Sequence, residues 1–131
     1  MWFSIYMKIV YTNGIFDLFH RGHIEYLKSC KNIFNDNENK EEDKVFLIVG
    51  IVNDKDATLY KRPPIYNEND RYEIIGNIAC VDKIIKDAPL IITEDFMKVH
   101  NIDYVIHSFS NSGDEGSQNK FFKVPIEIAN K

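Results

Sequence analysis

The sequence lacks most of the features that would take it outside ordinary globular chemistry. Its two cysteines, Cys30 and Cys80, have neither metal-ligand nor redox spacing, so the pair reads as buried thiols in a reduced protein. No run approaches the ~20 apolar residues of a membrane span. The opening MWFSIYMKIV has no basic stretch ahead of its apolar residues and does not read as a signal peptide, which makes the cytoplasm the expected compartment. No internal repeat is visible. Positive charge is not in excess either: 16 Lys and Arg stand against 20 Asp and Glu, for a net charge of -4. That balance argues against a nucleic-acid-binding face. It leaves room for a nucleotide, which needs only a few local donors.

What remains is a chain of 131 residues, 44% hydrophobic and 27% charged, enough for a single domain over 1–131 with a real core. Its apolar runs are short, β-branched and separated by helical patterns. MKIVY (7–11) reads as a first buried strand, and Ile24, Leu27, Ile33 and Phe34 suit a helix from about Gly22 to Phe34. VFLIVGIV (45–52) is a continuous apolar run, as expected of a strand covered on both faces. Asn67 can cap a helix running to about Ile78, with Tyr72, Ile75 and Ile78 on one face. VDKII reads as a third strand, Thr93-Glu94-Asp95 as the opening of a second short helix, and DYVIH (103–107) as a fourth strand.

The intervening NDKDATLYKRPPIY reads as a loop, because Pro63-Pro64 excludes helix. Residues 35–43, NDNENKEED, read as a surface loop. Residues 108–120 are polar and Gly/Ser-rich, and composition leaves a functional loop and a tail both open; FFKVPIEIANK beyond them regains strand or helix character. Alternating strands and helices predict an α/β domain with a parallel sheet and right-handed crossovers.

The informative stretch is TNGIFDLFHRGH, residues 12–23. It places His20 and His23 around Gly22, after a strand and at the opening of a helix. A helix N-terminus offers unsatisfied N–H groups and partial positive charge, and so favours an anion. Two imidazoles three residues apart could address one polyphosphate, with Gly22 letting it approach the backbone and Gly14 letting the chain turn off the strand. Two isolated structural histidines, or a zinc site, are the competing readings. No third metal ligand follows at a sensible spacing, and phosphate chemistry is preferred.

NGIFDLFHRGHIEYL resembles the cytidylyltransferase signature, in which a first strand leads into G-[IVAT]-[FY]-D-x-x-H-x-G-H. The resemblance continues through LIVGIVNDKD, LYKRPP, NENDRYEII, VDKII and DAPLIITEDFMKVHNIDYVIH, and so covers about 9–107. It is nearest to the eukaryotic enzymes that activate phosphocholine or phosphoethanolamine with CTP. Adenylyltransferases share the HxGH element, but NDRYEII and VDK resemble the cytidylyl branch more closely.

The resemblance implies a Rossmann-like, doubly wound parallel sheet of the HxGH nucleotidyltransferase type. It implies CMP transfer from CTP, with magnesium, to a phospho-amino alcohol, and pairing into a homodimer or with a second such domain around the segment of Arg71 and Asp82. It carries catalytic roles to His20, His23 and Lys61, the last bridging the two substrates' phosphates. Gly14, Ile15, Phe16, Gly22, Asp54, Arg71 and Asp82 would serve the nucleotide, with Asp54 and Arg71 paired. Asp17, Lys61, Tyr104 and His107 would serve the alcohol substrate. No protein-bound metal, nucleic-acid partner or membrane contact is implied for this segment.

Bland readings stand beside these roles. Lys61-Arg62 could be a solvated basic pair, Asp54–Arg71 a surface ion pair, Asp82 an exposed strand-end carboxylate, and Asp17 a helix cap. The unperturbed histidine pKa of ~6.5 makes a cationic form reachable beside an anion.

Three departures qualify the match. DAPLIIT has Leu90 where choline-type enzymes carry an aromatic, and an aromatic face is worth ~0.5–2 kcal/mol to a quaternary ammonium. Ser108-Phe109-Ser110 replaces an acidic segment ending in tyrosine, which leaves Tyr104 as a candidate aromatic wall. Both losses favour ethanolamine, as does Pro63-Pro64. The family's second signature, R-T-x-G-[IV]-S-T, is absent from the sequence; the expectation is a piece of a longer catalytic domain, with a non-catalytic partner domain as the alternative.

Overall fold

A computed structural model describes residues 7–34 and 44–107. The expected loops at 35–43 and 108–120, and the FFKVPIEIANK stretch, lie outside the described residues. Four strands and four helices are present in them: β1 (Met7–Gly14), α1 (Arg21–Lys31), β2 (Lys44–Ile51), α2 (Asp54–Tyr60), α3 (Glu68–Gly76), β3 (Lys83–Ile85), α4 (Glu94–Val99) and β4 (Tyr104–Ile106). The strands form one parallel sheet in the order β3-β2-β1-β4.

The alternation of side chains along β1 builds both faces of this sheet. Val10 joins Leu27, Cys30, Leu47, Val49, Tyr72 and Ile75 on the face covered by α1 and α3. Ile9 and Tyr11 join Ile48, Ile92, Met97 and Ile102 on the face covered by α4. The continuous apolar run of β2 follows from this two-sided burial. Tyr11 needs more than apolar neighbours, since a Cβ at Gly50 would stand 2.0 Å from its hydroxyl. Glycine at position 50 is therefore what lets the phenol lie across β2.

The chain winds outward from β1 through β2 to β3, then returns over the opposite face to place β4 on the other edge of β1. The direction reverses between β1 and β4, and in such sheets the crevice beyond the carboxyl ends of those strands receives ligands. The histidine loop leaves β1 at this crevice.

One expected loop is partly helical. Residues 54–60 form α2, whose cap Asn53 accepts from the Asp56 N–H through its side chain at 2.6 Å. The helix is short and buries only Ala57 fully, so apolar periodicity gives no sign of it. Pro63 and Pro64 come after its end rather than preventing it.

Candidate active site

Beyond Gly14 the chain turns through two bulky residues in the left-handed region, Phe16 (φ 56°) and Leu18 (φ 48°). Such conformations cost about 1–3 kcal/mol each and persist only when neighbours hold them. Here the Phe16 ring is buried in the core, and Arg71 Nη1 donates to the Ile15 carbonyl at 2.8 Å. No described glycine has a positive φ, so the turn expected of Gly14 belongs instead to Phe16 and Leu18. Gly14 is needed for space: its Cβ would lie 3.0 Å from the Phe16 ring.

The turn delivers His20 as the N-cap of α1. Its Nδ1 accepts from the Gly22 N–H at 2.9 Å, and His23 Nδ1 accepts from the His20 N–H at 3.1 Å. This is a capping box built from two histidines. An Nδ1 that accepts carries no proton, so each neutral ring is the Nε2–H tautomer with one donor left for a ligand. Gly22 serves the same arrangement. A Cβ there would lie 2.6 Å from His20 Cε1, so the glycine makes room for an imidazole first of all.

His23 is stacked on Phe19 (centroids 5.1 Å) with Phe16 edge-on (6.0 Å), and the two imidazoles are 4.3 Å apart. Burial, and then the neighbouring His20, hold the His23 pKa below its ordinary value. The cationic form that the sequence left reachable is thus disfavoured at His23. That ring enters as a neutral donor. The first turn of α1 has no acidic side chain, which leaves its positive dipole end available to an anion.

His20, His23 and Lys61 line one cavity of about 520 Å3, together with Gly14, Ile15, Phe16, Asp17 and Gly22. Lys61 is the C-cap of α2, its Nζ 5.6 Å from the Tyr60 ring centre. Asn13, Tyr26 and Tyr60, which sequence reasoning did not name, line it too, as does Arg62, read there only as a solvated neighbour of Lys61. Tyr26 lies three residues beyond His23, hence one helical turn along the same face. Its hydroxyl shares a 2.6 Å hydrogen bond with Thr12 Oγ1, which donates to the Ile106 carbonyl at 2.9 Å, tying α1 to β1 and β4.

Other expected residues lie elsewhere. Arg71 and Asp54 do pair, Nη2 to Oδ1 at 2.7 Å, but Arg71 is fully buried and neither residue lines the cavity. Three further donors of the guanidinium go to the carbonyls of Ile15, Val52 (2.7 Å) and Tyr66 (3.0 Å), so it braces the site from behind. Asp82, just before β3, accepts from Lys31 Nζ and from the Leu47 N–H. It lies toward the amino ends of the strands, away from the crevice.

Tyr104 packs its ring on Phe34 (4.8 Å) and does not line this cavity. His107 follows β4 at the crevice, half-buried, with its pKa lowered by burial, and does not line this cavity. Asp17 does line it, but its carboxylate accepts N–H bonds from Leu18 (3.1 Å), Ile65 (2.7 Å) and Tyr66 (2.8 Å). It caps no helix, and what it presents to a ligand is already used. Among the described residues no three metal-ligating side chains cluster, and no helix is long and apolar enough to cross a membrane.

A Cytidylyltransferase-like family model matches residues 11–114. Choline-phosphate cytidylyltransferase A of Rattus norvegicus is 36% identical over 109 residues, covering 81% of this chain and 28% of the relative. Ethanolamine-phosphate cytidylyltransferase of Arabidopsis thaliana is 35% identical over 102 residues, covering 75% of this chain and 22% of the relative. The chain thus spans between about a fifth and a third of the curated relatives it matches. A lipopolysaccharide core biosynthesis protein from Thermoplasma volcanium superposes with a TM-score of 0.56 at 27% identity, covering 86% of this chain and 87% of that one. With the family model matching most of its length, the chain belongs to the cytidylyltransferase-like family.

Proposed function

We propose that this chain transfers CMP from CTP to a phospho-amino alcohol, phosphoethanolamine in first place, giving CDP-ethanolamine and pyrophosphate for phospholipid synthesis. The observation that carries the reading is the shared cavity: two Nε2–H donors and Lys61, at a helix N-terminus free of acidic side chains. An oxygen of the phosphomonoester attacks the α-phosphorus as the bond to the β-phosphate oxygen breaks, so the leaving electron pair goes to pyrophosphate. No covalent enzyme intermediate is needed. The chain's own work is alignment and neutralisation of the charge growing on the α-phosphate and on the departing group. Neutral imidazoles held by their Nδ1 atoms are already oriented for that work. Magnesium enters with CTP as part of the substrate, and no step is routed through it.

Ethanolamine is supported over choline by Leu90, which offers no aromatic face, and by Tyr104, whose ring is engaged with Phe34. Phosphocholine is the second reading, carried by the choline-phosphate enzymes among the relatives. Pairing with a second copy or a second such domain is part of the proposal. Arg71 is buried within the protomer, so its exposed neighbours would make any such contact.

The test is pyrophosphate release from CTP with magnesium, offering phosphoethanolamine, phosphocholine and glycerol 3-phosphate in parallel. Phosphoethanolamine should turn over fastest, and His20→Ala should lower its rate by about 10²–10³, the usual effect of one lost donor. Faster turnover of phosphocholine would install the second reading. A rate indifferent to His20 would remove the site.

A further inference from the structure

Asp17 stands at an awkward place for an acid. A carboxylate in the wall of a cavity meant for polyphosphate repels its ligand unless its charge is used elsewhere. Its Oδ1 accepts from the Leu18 and Tyr66 N–H groups, its Oδ2 accepts from the Ile65 N–H, and Arg62 Nη1 lies 3.7 Å from Oδ2. The side chain is 9% exposed. Burial alone would raise its pKa, but the three N–H bonds and Arg62 outweigh that and keep it below the ordinary carboxylate value.

The partners of Asp17 are two consecutive amides at the end of the segment that begins with Lys61 and Arg62 and stiffens at Pro63-Pro64. Tyr66 is also held from its other side, because Arg71 Nε donates to its carbonyl at 3.0 Å. The cationic segment 61–66 therefore runs as a strap fixed at both ends, by α2 at Lys61 and by Asp17 and Arg71 at Tyr66.

We propose that Asp17 is a positioning residue: its carboxylate pins the strap to the histidine loop and so sets Lys61 against the Nε2–H donors of His20 and His23. For its effect on turnover this rests on the proposed CMP transfer. The latch itself exists without ligand.

Asp17→Asn tests it, because the amide keeps the shape but offers a single acceptor oxygen and turns an NH2 group toward one strap N–H. In the full chain, amide hydrogen exchange at Ile65 and Tyr66 should accelerate about tenfold or more while β1 and β2 keep their protection. The kcat for CMP transfer should fall about 10- to 100-fold, as for a misplaced catalytic group. KM for the phospho-amino alcohol should stay within about threefold, and Asp17→Glu should recover part of the rate.

Retained protection at Ile65 and Tyr66 would overturn the proposal, and a loss confined to the alcohol's KM would make Asp17 a substrate contact instead. Protection lost throughout the sheet would reduce it to a general structural carboxylate. If the unmodified chain turns over none of the phosphomonoesters, the proposed reaction fails, and the exchange at Ile65 and Tyr66 still decides the latch.

Discussion

Among the described residues, three helices begin in one way and the fourth in another. Asn53, Asn67 and Thr93 cap α2, α3 and α4, and each of those helices carries two acids in its first turn. Both features are what helix N-termini ordinarily use to satisfy their N–H groups and dipole. The remaining helix, α1, is capped by His20, backed by His23, and has no acid in its first turn. A short amide or hydroxyl is used up in capping. An imidazole has a second nitrogen on the far side of its ring, so the group that closes the helix also presents a donor to whatever binds there. The proposed site therefore sits at the one described helix whose start departs from ordinary capping, and that departure includes the missing acids as well as the histidines.

Exchanging the two kinds of cap should separate their roles. His20→Asn keeps a good cap but lacks the imidazole's second nitrogen, so CMP transfer should fall by about 10²–10³. Thermal stability should move by less than about 1 kcal/mol. Asn67→Ala is the converse, costing about 1 kcal/mol of stability while leaving the Nε2–H donors in place. Steady-state kinetics and thermal unfolding on both variants check the pair. A His20→Asn chain that keeps its rate would erase the distinction.

A smaller effect is expected of Gly22→Ala. Alanine suits a helix better than glycine by ~1 kcal/mol, but its Cβ forces the His20 ring to swing off the Gly22 N–H. The rate should drop about 10- to 100-fold through misplacement, with little change in unfolding temperature. Equal rates for the two chains would show that the ring's position does not matter.

The smallest and most gradual effect is on acid stability. His23, His100 and His107 all have folded pKa values lowered first by burial. The unfolded chain then binds more protons than the folded one below the ordinary histidine pKa of ~6.5. The stability they contribute is complete above that pH and declines as pH falls through the window down to their folded values. Asp17, with its lowered pKa, adds a further loss only below the ordinary carboxylate pKa of ~3.9. Thermal midpoints recorded from pH 7.5 to 5 should fall steadily, and His23→Asn should flatten the slope. A midpoint that rises on acidification would contradict the cap geometry.

Much of this was legible in the sequence. The continuous run of β2, the capping asparagine of α3 and the Thr93 start of α4 each carry a local signal strong enough to read alone. Helix α2 carries the same signal in Asn53, Asp54 and Asp56, but seven residues with one fully buried side chain offer no periodicity, and the following prolines disguise it. At the site, the histidines and Lys61 could be read because their chemistry is local to a motif. Asp17 and Tyr104 could not, because their partners are remote in sequence. Asp17 meets backbone amides 48 and 49 residues on, and Tyr104 meets the ring of Phe34, which is far from it in sequence. For Gly14 and Gly22 the structure gives a different reason from the one read in the sequence, since what each spares is a ring, seen only once the loop is folded.

Arg71 sets the order in which the site can come into being. One guanidinium holds the carbonyl of Ile15 at the end of β1, that of Val52 at the end of β2, and that of Tyr66 ahead of α3. A buried arginine deprived of these acceptors would be strongly unfavourable, so they must assemble together. Folding intermediates in which the sheet has formed but α3 has not docked would have strands and no site. Competence to hold a nucleotide should therefore arrive in the last cooperative step rather than accumulate by degrees.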